Sequence, residues 1–117
     1  MREFQRGAVR LHVLHHAALE EIHGAWMAAE LARHGYRISP GTLYPTLHRL
    51  EQEGLLVSRR RVVEGRTRRA YRATAAGKRA LAEDRAALAE LAREVLGDEA
   101  APTVRAERRR HPPLRRG

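Results

Sequence analysis

The stretch Ser39-Pro40-Gly41-Thr42-Leu43-Tyr44-Pro45-Thr46-Leu47-His48-Arg49-Leu50-Glu51-Gln52-Glu53-Gly54 decides how the rest of the chain is read. A serine followed by a proline marks a helix start. The serine suits the N-cap, and proline, with no N–H to lose, suits the first helical position. Leu43, Leu47 and Leu50 recur at steps of four and three, which gives an apolar face. The helix is predicted to run to about Glu53 and to stop at Gly54. Pro45 would clash with the carbonyl four residues back, but that residue is Gly41, which adjusts easily. Ser39, Thr42, Tyr44, Thr46, His48 and Arg49 are left to form a polar, outward face.

Working outward, residues 22 to 34 read as a helix with Met27, Ala28 and Leu31 inward, stopped by Gly35. Tyr36-Arg37-Ile38 is a short connector. Residues 4 to 19 read as an earlier helix, with Phe4, Ala8, Leu11 and Ala18 on or near one face and Val9, Val13 and Leu14 widening it. Downstream, Leu55–Val63 and residues 68 to 73 are extended runs around a turn signal, Glu64-Gly65-Arg66-Thr67. Thr74 caps a fourth helix in which Leu81, Leu88 and Val95 recur at seven-residue steps with Leu91 between them. The pattern breaks at Gly97-Asp98. The order of helix, helix, tight turn, polar-faced helix and hairpin is that of an α+β winged helix-turn-helix. The expected domains are a DNA-binding winged helix over 1–73, a dimerisation helix over 74–96 and a disordered basic tail over 97–117.

Composition supports a nucleic-acid partner. The 117 residues carry 23 Lys+Arg against 14 Asp+Glu, a formal charge of +9, and Lys78 is the only lysine. Such an excess points to a polyanion. The absence of cysteine excludes disulfides and thiolate zinc sites. No apolar run approaches the roughly 20 residues of a membrane span. The amino-terminal residues lack the apolar core of a signal peptide, so a soluble cytoplasmic protein with no membrane partner is expected. There is no phosphate-binding glycine loop and no recognisable nucleophile set, so no enzyme and no cofactor are expected. His12, His16 and Glu20 share one helix face, but no second element offers matching ligands. A polar helix face is the better reading, and no metal is expected.

The run from Ser39 to Leu56 closely resembles the recognition-helix signature of PadR-like transcriptional regulators. His23-Gly24 resembles the family's His-Gly pair, and Arg69-Ala70-Tyr71-Arg72-Ala73-Thr74-Ala75-Ala76-Gly77 resembles its second wing strand and the entry to its last helix. The resemblance covers roughly residues 6 to 96. Glu20-Glu21-Ile22 stand where the family often has Gly-Pro, and Ala25-Trp26 follow the His-Gly pair where Tyr and a small or acidic residue are common. The resemblance implies a homodimeric, mostly repressing regulator of the short form, with one helix after the wing. Some members respond to small phenolic or aromatic compounds.

The expected DNA-contacting residues are Ser39, Thr42, Tyr44, His48 and Arg49 on the third helix and Arg66, Arg68 and Arg69 on the wing. Tyr44 is expected to bond a phosphate through its hydroxyl, against the alternative of packing on the wing. The expected dimer seam is Leu81, Leu88, Leu91 and Val95, against the alternative of packing on the chain's own first helix. Trp26 is the candidate for an aromatic effector pocket, against ordinary interface packing. The expected partners are double-stranded DNA, a second copy and a small aromatic effector. The rival function is a winged-helix protein-interaction module without specific DNA binding.

Overall fold

A computed structural model describes residues 2–97. The basic tail expected from the sequence lies, beyond Gly97, outside the described residues. Helix α1 spans Glu3–Leu19 and buries Val9, Val13, Leu14 and Ala17. Of the broad apolar face read from the sequence, the part widened by Val9, Val13 and Leu14 is the most buried, and Leu11 and Ala18 pack against it. Phe4 is 71% exposed, while Ala8, Leu11 and Ala18 are half-buried. Two apolar rows adjoin on this helix, and periodicity marks both. Packing against the sheet and the second helix selects the valine row.

Ile22–His23 form a two-residue strand, β1, before helix α2 begins at Gly24 and runs to Arg33. This corrects the expected helix start at residue 22. Ile22 pairs with Tyr71 and His23 with Ala70, antiparallel. Met27 and Leu31 are fully buried on α2, and Ala28 is half-buried. The helix ends in a Schellman motif. Gly35, at φ 93°, donates to the Ala32 carbonyl, and Tyr36 donates to that of Leu31.

Helix α3 spans Pro40–Gln52, with Pro40 in its first turn and Pro45 inside it. Leu43, Leu47 and Leu50 face the core. Its end repeats the device of α2, with Gly54 at φ 82°, Gly54 N–H to the Glu51 carbonyl and Leu55 N–H to that of Leu50. Two expectations are corrected. Ser39 occupies the N-cap position, but its hydroxyl makes no cap bond and donates instead to Thr42 Oγ1 at 3.4 Å. Thr46 is buried rather than outward. Its hydroxyl donates to the Thr42 carbonyl at 3.0 Å, which satisfies it inside the helix.

Strands β2 (Leu56–Val63) and β3 (Arg66–Ala73) form the hairpin, and β1 adds to the far edge of β3, giving the order β1-β3-β2. The turn is two residues, not four. Glu64 and Gly65 stand at φ 53° and 78°, the pair of positive values a type I′ turn requires. Ile22, Leu56, Tyr71 and Ala73 carry the sheet's contribution to the core. Helix α4 spans Ala75–Leu96. Thr74 caps it, its hydroxyl accepting from Gly77 N–H at 3.0 Å and donating to the Gly54 carbonyl at 2.6 Å. A side chain at Gly77 would run into the Leu55 carbonyl, so the helix can sit this close only with glycine there.

The chain divides into two compact units after Ala82, inside α4. Leu81 belongs to the core of the first. In the second, Leu88, Leu91, Val95 and Leu96 are exposed. No helix among the described residues is long and apolar enough to cross a membrane.

Candidate nucleic-acid interface

The outward face of α3 carries Thr42, Tyr44, His48 and Arg49, all exposed, with Ser39 exposed just before it. Tyr44 stands half in solvent, at 47% exposure, with its ring laid against Gly24. A Cβ on Gly24 would lie 2.5 Å from the ring's Cε1 and 2.7 Å from its hydroxyl. The glycine of the His-Gly pair is therefore a seat for this ring. The start of α2 and the early turns of α3 together fix where the hydroxyl points.

Tyr44 looks into a cleft of about 500 Å³ walled by His23, Gly24 and Ala25 on one side and Arg66, Thr67, Arg68 and Arg69 on the other. The wing wall follows from sheet topology. Strand β1 covers β3 only at Ala70 and Tyr71, so the stretch Arg66–Arg69 presents an open edge. Unpaired strand-edge groups and guanidinium groups line the same wall, which is what an anionic backbone can use for register. His23 Nδ1 is buried with no hydrogen-bond partner among the described residues.

Charge on the wing is arranged in two ways. Arg60 lies directly opposite Arg69 across the hairpin, and Arg61 opposite Arg68. Like charges in register oppose the sheet that carries them. Part of this is offset by Glu21, whose Oε2 accepts from Arg59 and whose Oε1 accepts from Arg61, both at 2.9 Å. The Arg61 hydrogen bond, then that of Arg59, holds the Glu21 carboxyl below its usual range against an opposing desolvation effect. Arg69 donates to Ser58 Oγ at 3.0 Å, and Ser58 donates through Oγ (2.8 Å) and N–H (3.2 Å) to Glu51. That relay ties the wing to the last turn of α3. Arg66 and Arg68 make no ion pair among the described residues.

The sequence reading did not find Glu21, Glu51 or Ser58. Their roles depend on the register of strands distant in sequence. Nor did it place the histidines. His16 and His34 approach Glu30 Oε2 at 3.5 and 3.1 Å, and Arg33 donates to it at 2.8 Å. The Arg33 bond is the main reason the Glu30 carboxyl falls to about 2. Desolvation lowers His12 and His16 below 6.5, with His34 the next contributor at His12. His12 packs on His34 and Tyr36, and His16 meets the edge of Trp26 at 5.2 Å. Trp26 is 45% exposed and lies outside the wing cleft. The described residues hold no group of three His, Asp or Glu suited to a metal, and Glu20 does not join His12 and His16.

The model of the transcriptional regulator PadR-like family matches residues 13–83. The chain belongs to the PadR-like family of transcriptional regulators. It is 76% identical over 97 residues to the transcriptional regulator Rv3488 of Mycobacterium tuberculosis, covering 83% of this chain and 91% of that one. Among solved structures, a PadR-family regulator from Eggerthella lenta superposes with TM-score 0.71 at 36% identity, over 80% of this chain and 82% of the other. Bacillus subtilis PadR, whose structure was solved in complex with operator DNA, shares the fold with TM-score 0.59 at 19% identity, over 65% of this chain and 45% of that one. Against PadR-like expectations, the sheet has three strands where the sequence suggested two, and the rest of the winged-helix architecture stands as read.

Proposed function

We propose that this PadR-like regulator is a cytoplasmic, homodimeric repressor that binds a palindromic operator. The single observation that carries the reading is the shared cleft. Tyr44 of α3, seated on Gly24, faces the same open space as Arg66, Arg68 and Arg69 of the wing. A helix that enters the major groove and a wing that grips the adjacent backbone would then meet one duplex together. Ser39, Thr42, His48 and Arg49 present polar groups to base edges and phosphates. The Tyr44 hydroxyl and the wing arginines bind phosphates. The operator complex of Bacillus subtilis PadR supports the choice of partner.

The dimer rests on Leu88, Leu91 and Val95, an exposed apolar row at helical spacing, while Leu81 serves the core of its own unit. An apolar row on a helix calls for a covering partner, and a second copy supplies one. Two-fold symmetry then places half-sites about one helical turn apart. Sedimentation equilibrium on a Leu88→Glu, Leu91→Glu variant should show monomer where the parent protein shows dimer. A dimer in both would remove this seam from the reading.

Selection of bound fragments from the source genome, followed by footprinting of the recovered promoter, tests the main claim. A protected, roughly palindromic site is expected. Equal affinity for selected and random duplex would defeat specific regulation. For an aromatic effector, Trp26 is the natural reporter. A panel of phenolic compounds that leaves its emission unchanged removes the effector from the reading.

A further inference from the structure

A second cleft, of about 550 Å³, opens on the other flank of α3 between that helix and the first turns of α1. It is lined by Arg6, Gly7, Arg10, Thr42, Pro45 and Arg49, with Val9, Thr46 and Leu50 behind them. Arg49 and Tyr44 are five residues apart, roughly 140° around the helix at 3.6 residues per turn. The two clefts therefore border the exposed face of α3 on opposite sides, with His48 between.

Three observations give this cleft a chemistry. First, the inward row of α1 that buries Val13 and Ala17 continues toward the N-terminus as Arg10 and Arg6, so the two arginines face α3. Arg10 approaches Glu53 at 3.6 Å. Arg6 is exposed, and Arg49 enters from the other wall. Second, Gly7 lies in the helix interior, where glycine costs about 0.8–1 kcal/mol against alanine. Apart from the adjoining backbone of its own helix, no atom of the described residues lies within 4 Å of where its Cβ would be, so no packing contact among them requires the glycine. Third, the cleft is continuous with the α3 face through Thr42 and Arg49, so an occupant would touch whatever α3 touches.

We propose that this α1–α3 cleft is a second phosphate clamp. Arg6, Arg10 and Arg49 would receive the DNA strand on the side of the groove away from the wing, and Gly7 would leave room for that backbone to come close. The inference rests on the DNA-binding reading above and adds α1 to it. It gives the duplex two cationic walls with α3 between them, so that register is fixed from both strands.

The test is fluorescence anisotropy with a labelled random-sequence duplex over a salt series, on the full chain and on Arg6→Ala, Gly7→Gln and Arg66→Ala, with melting curves to confirm folding. Removing one arginine that neutralises a phosphate lowers the salt slope by about 0.9, which is about 8-fold in affinity at 0.1 M salt. Arg6→Ala should show that drop on the clamp side, and Arg66→Ala a comparable drop on the wing. Gly7→Gln should melt no lower than the parent yet bind several-fold more weakly. Parent slope and affinity in both Arg6→Ala and Gly7→Gln, beside a reduced slope in Arg66→Ala, would overturn the clamp while leaving the wing reading intact. A parent chain with no salt-dependent duplex binding would overturn both.

Discussion

Gly24→Ala isolates the seat of Tyr44. The added Cβ would stand 2.5 Å from Cε1, 2.7 Å from the hydroxyl and 2.8 Å from Cζ. Relief to the 3.4 Å of ordinary contact moves the ring by about 0.9 Å. Two effects on stability oppose each other. Overpacking costs about 1–3 kcal/mol where nothing can yield, but Tyr44 is half-exposed and can swing outward. Alanine also gains up to about 1 kcal/mol over glycine in a helix. The melting temperature should therefore change little. Duplex binding should change much more. A hydroxyl-to-phosphate bond of about 2.8 Å stretched by that displacement is no longer a hydrogen bond. Loss of a bond to a charged group is worth about 1.5–3 kcal/mol, or about 10- to 150-fold in Kd. Anisotropy on a selected operator fragment reads this directly, with Tyr44→Phe and the double variant completing a cycle. The reasoning requires that Gly24→Ala add little once the hydroxyl is gone. Parent-like binding by Gly24→Ala, or an equal loss in the Tyr44→Phe background, would refute it.

Three further outcomes are expected. Glu21→Gln frees Arg59 and Arg61, so random-duplex affinity at low salt should rise several-fold and the salt slope steepen, as titrations of the two proteins will read. Gly65→Ala places a Cβ on a residue at φ 78°, which should cost about 1–2 kcal/mol in a denaturant melt through the wing turn. His12 and His16 titrate below 6.5 in the folded chain, so the unfolded chain binds more protons just below that pH. Their contribution is complete above pH 6.5 and is lost as pH falls toward their folded values. A melting series from neutral to mildly acidic pH should show the drop, and a His12→Gln, His16→Gln variant should flatten it, even with His15, His34, Glu30 and Arg33 still in place.

What could be read in advance followed from how local the cause was. Leu43, Leu47 and Leu50 announce α3 because one helical period suffices, and Gly35 and Gly54 stop their helices through bonds within six residues. The strand Ile22–His23 was invisible because two residues carry no period and their partners are Tyr71 and Ala70. Thr46 and Ser39 were misjudged for a related reason. A hydroxyl can cap, point outward or bond back within its own helix, and spacing alone does not choose. At the candidate interface, residue types were legible and their connections were not. Arg69 counts as wing charge in the sequence, yet Ser58 and Glu51 hold it as part of a strut. Gly24 resembled a family marker before the ring of Tyr44 gave it a physical task.

The arginines that face each other across the hairpin, Arg60 with Arg69 and Arg61 with Arg68, give dissolved salt two opposed effects on this molecule. In the free chain, mobile anions quiet the repulsion and tighten the hairpin. On a duplex, the same ions compete with the wing for its phosphates. Raising ionic strength should thus make the unbound chain harder to melt while making the bound one easier to release. Ionic strength would then set a division of labour between holding a shape and holding a partner.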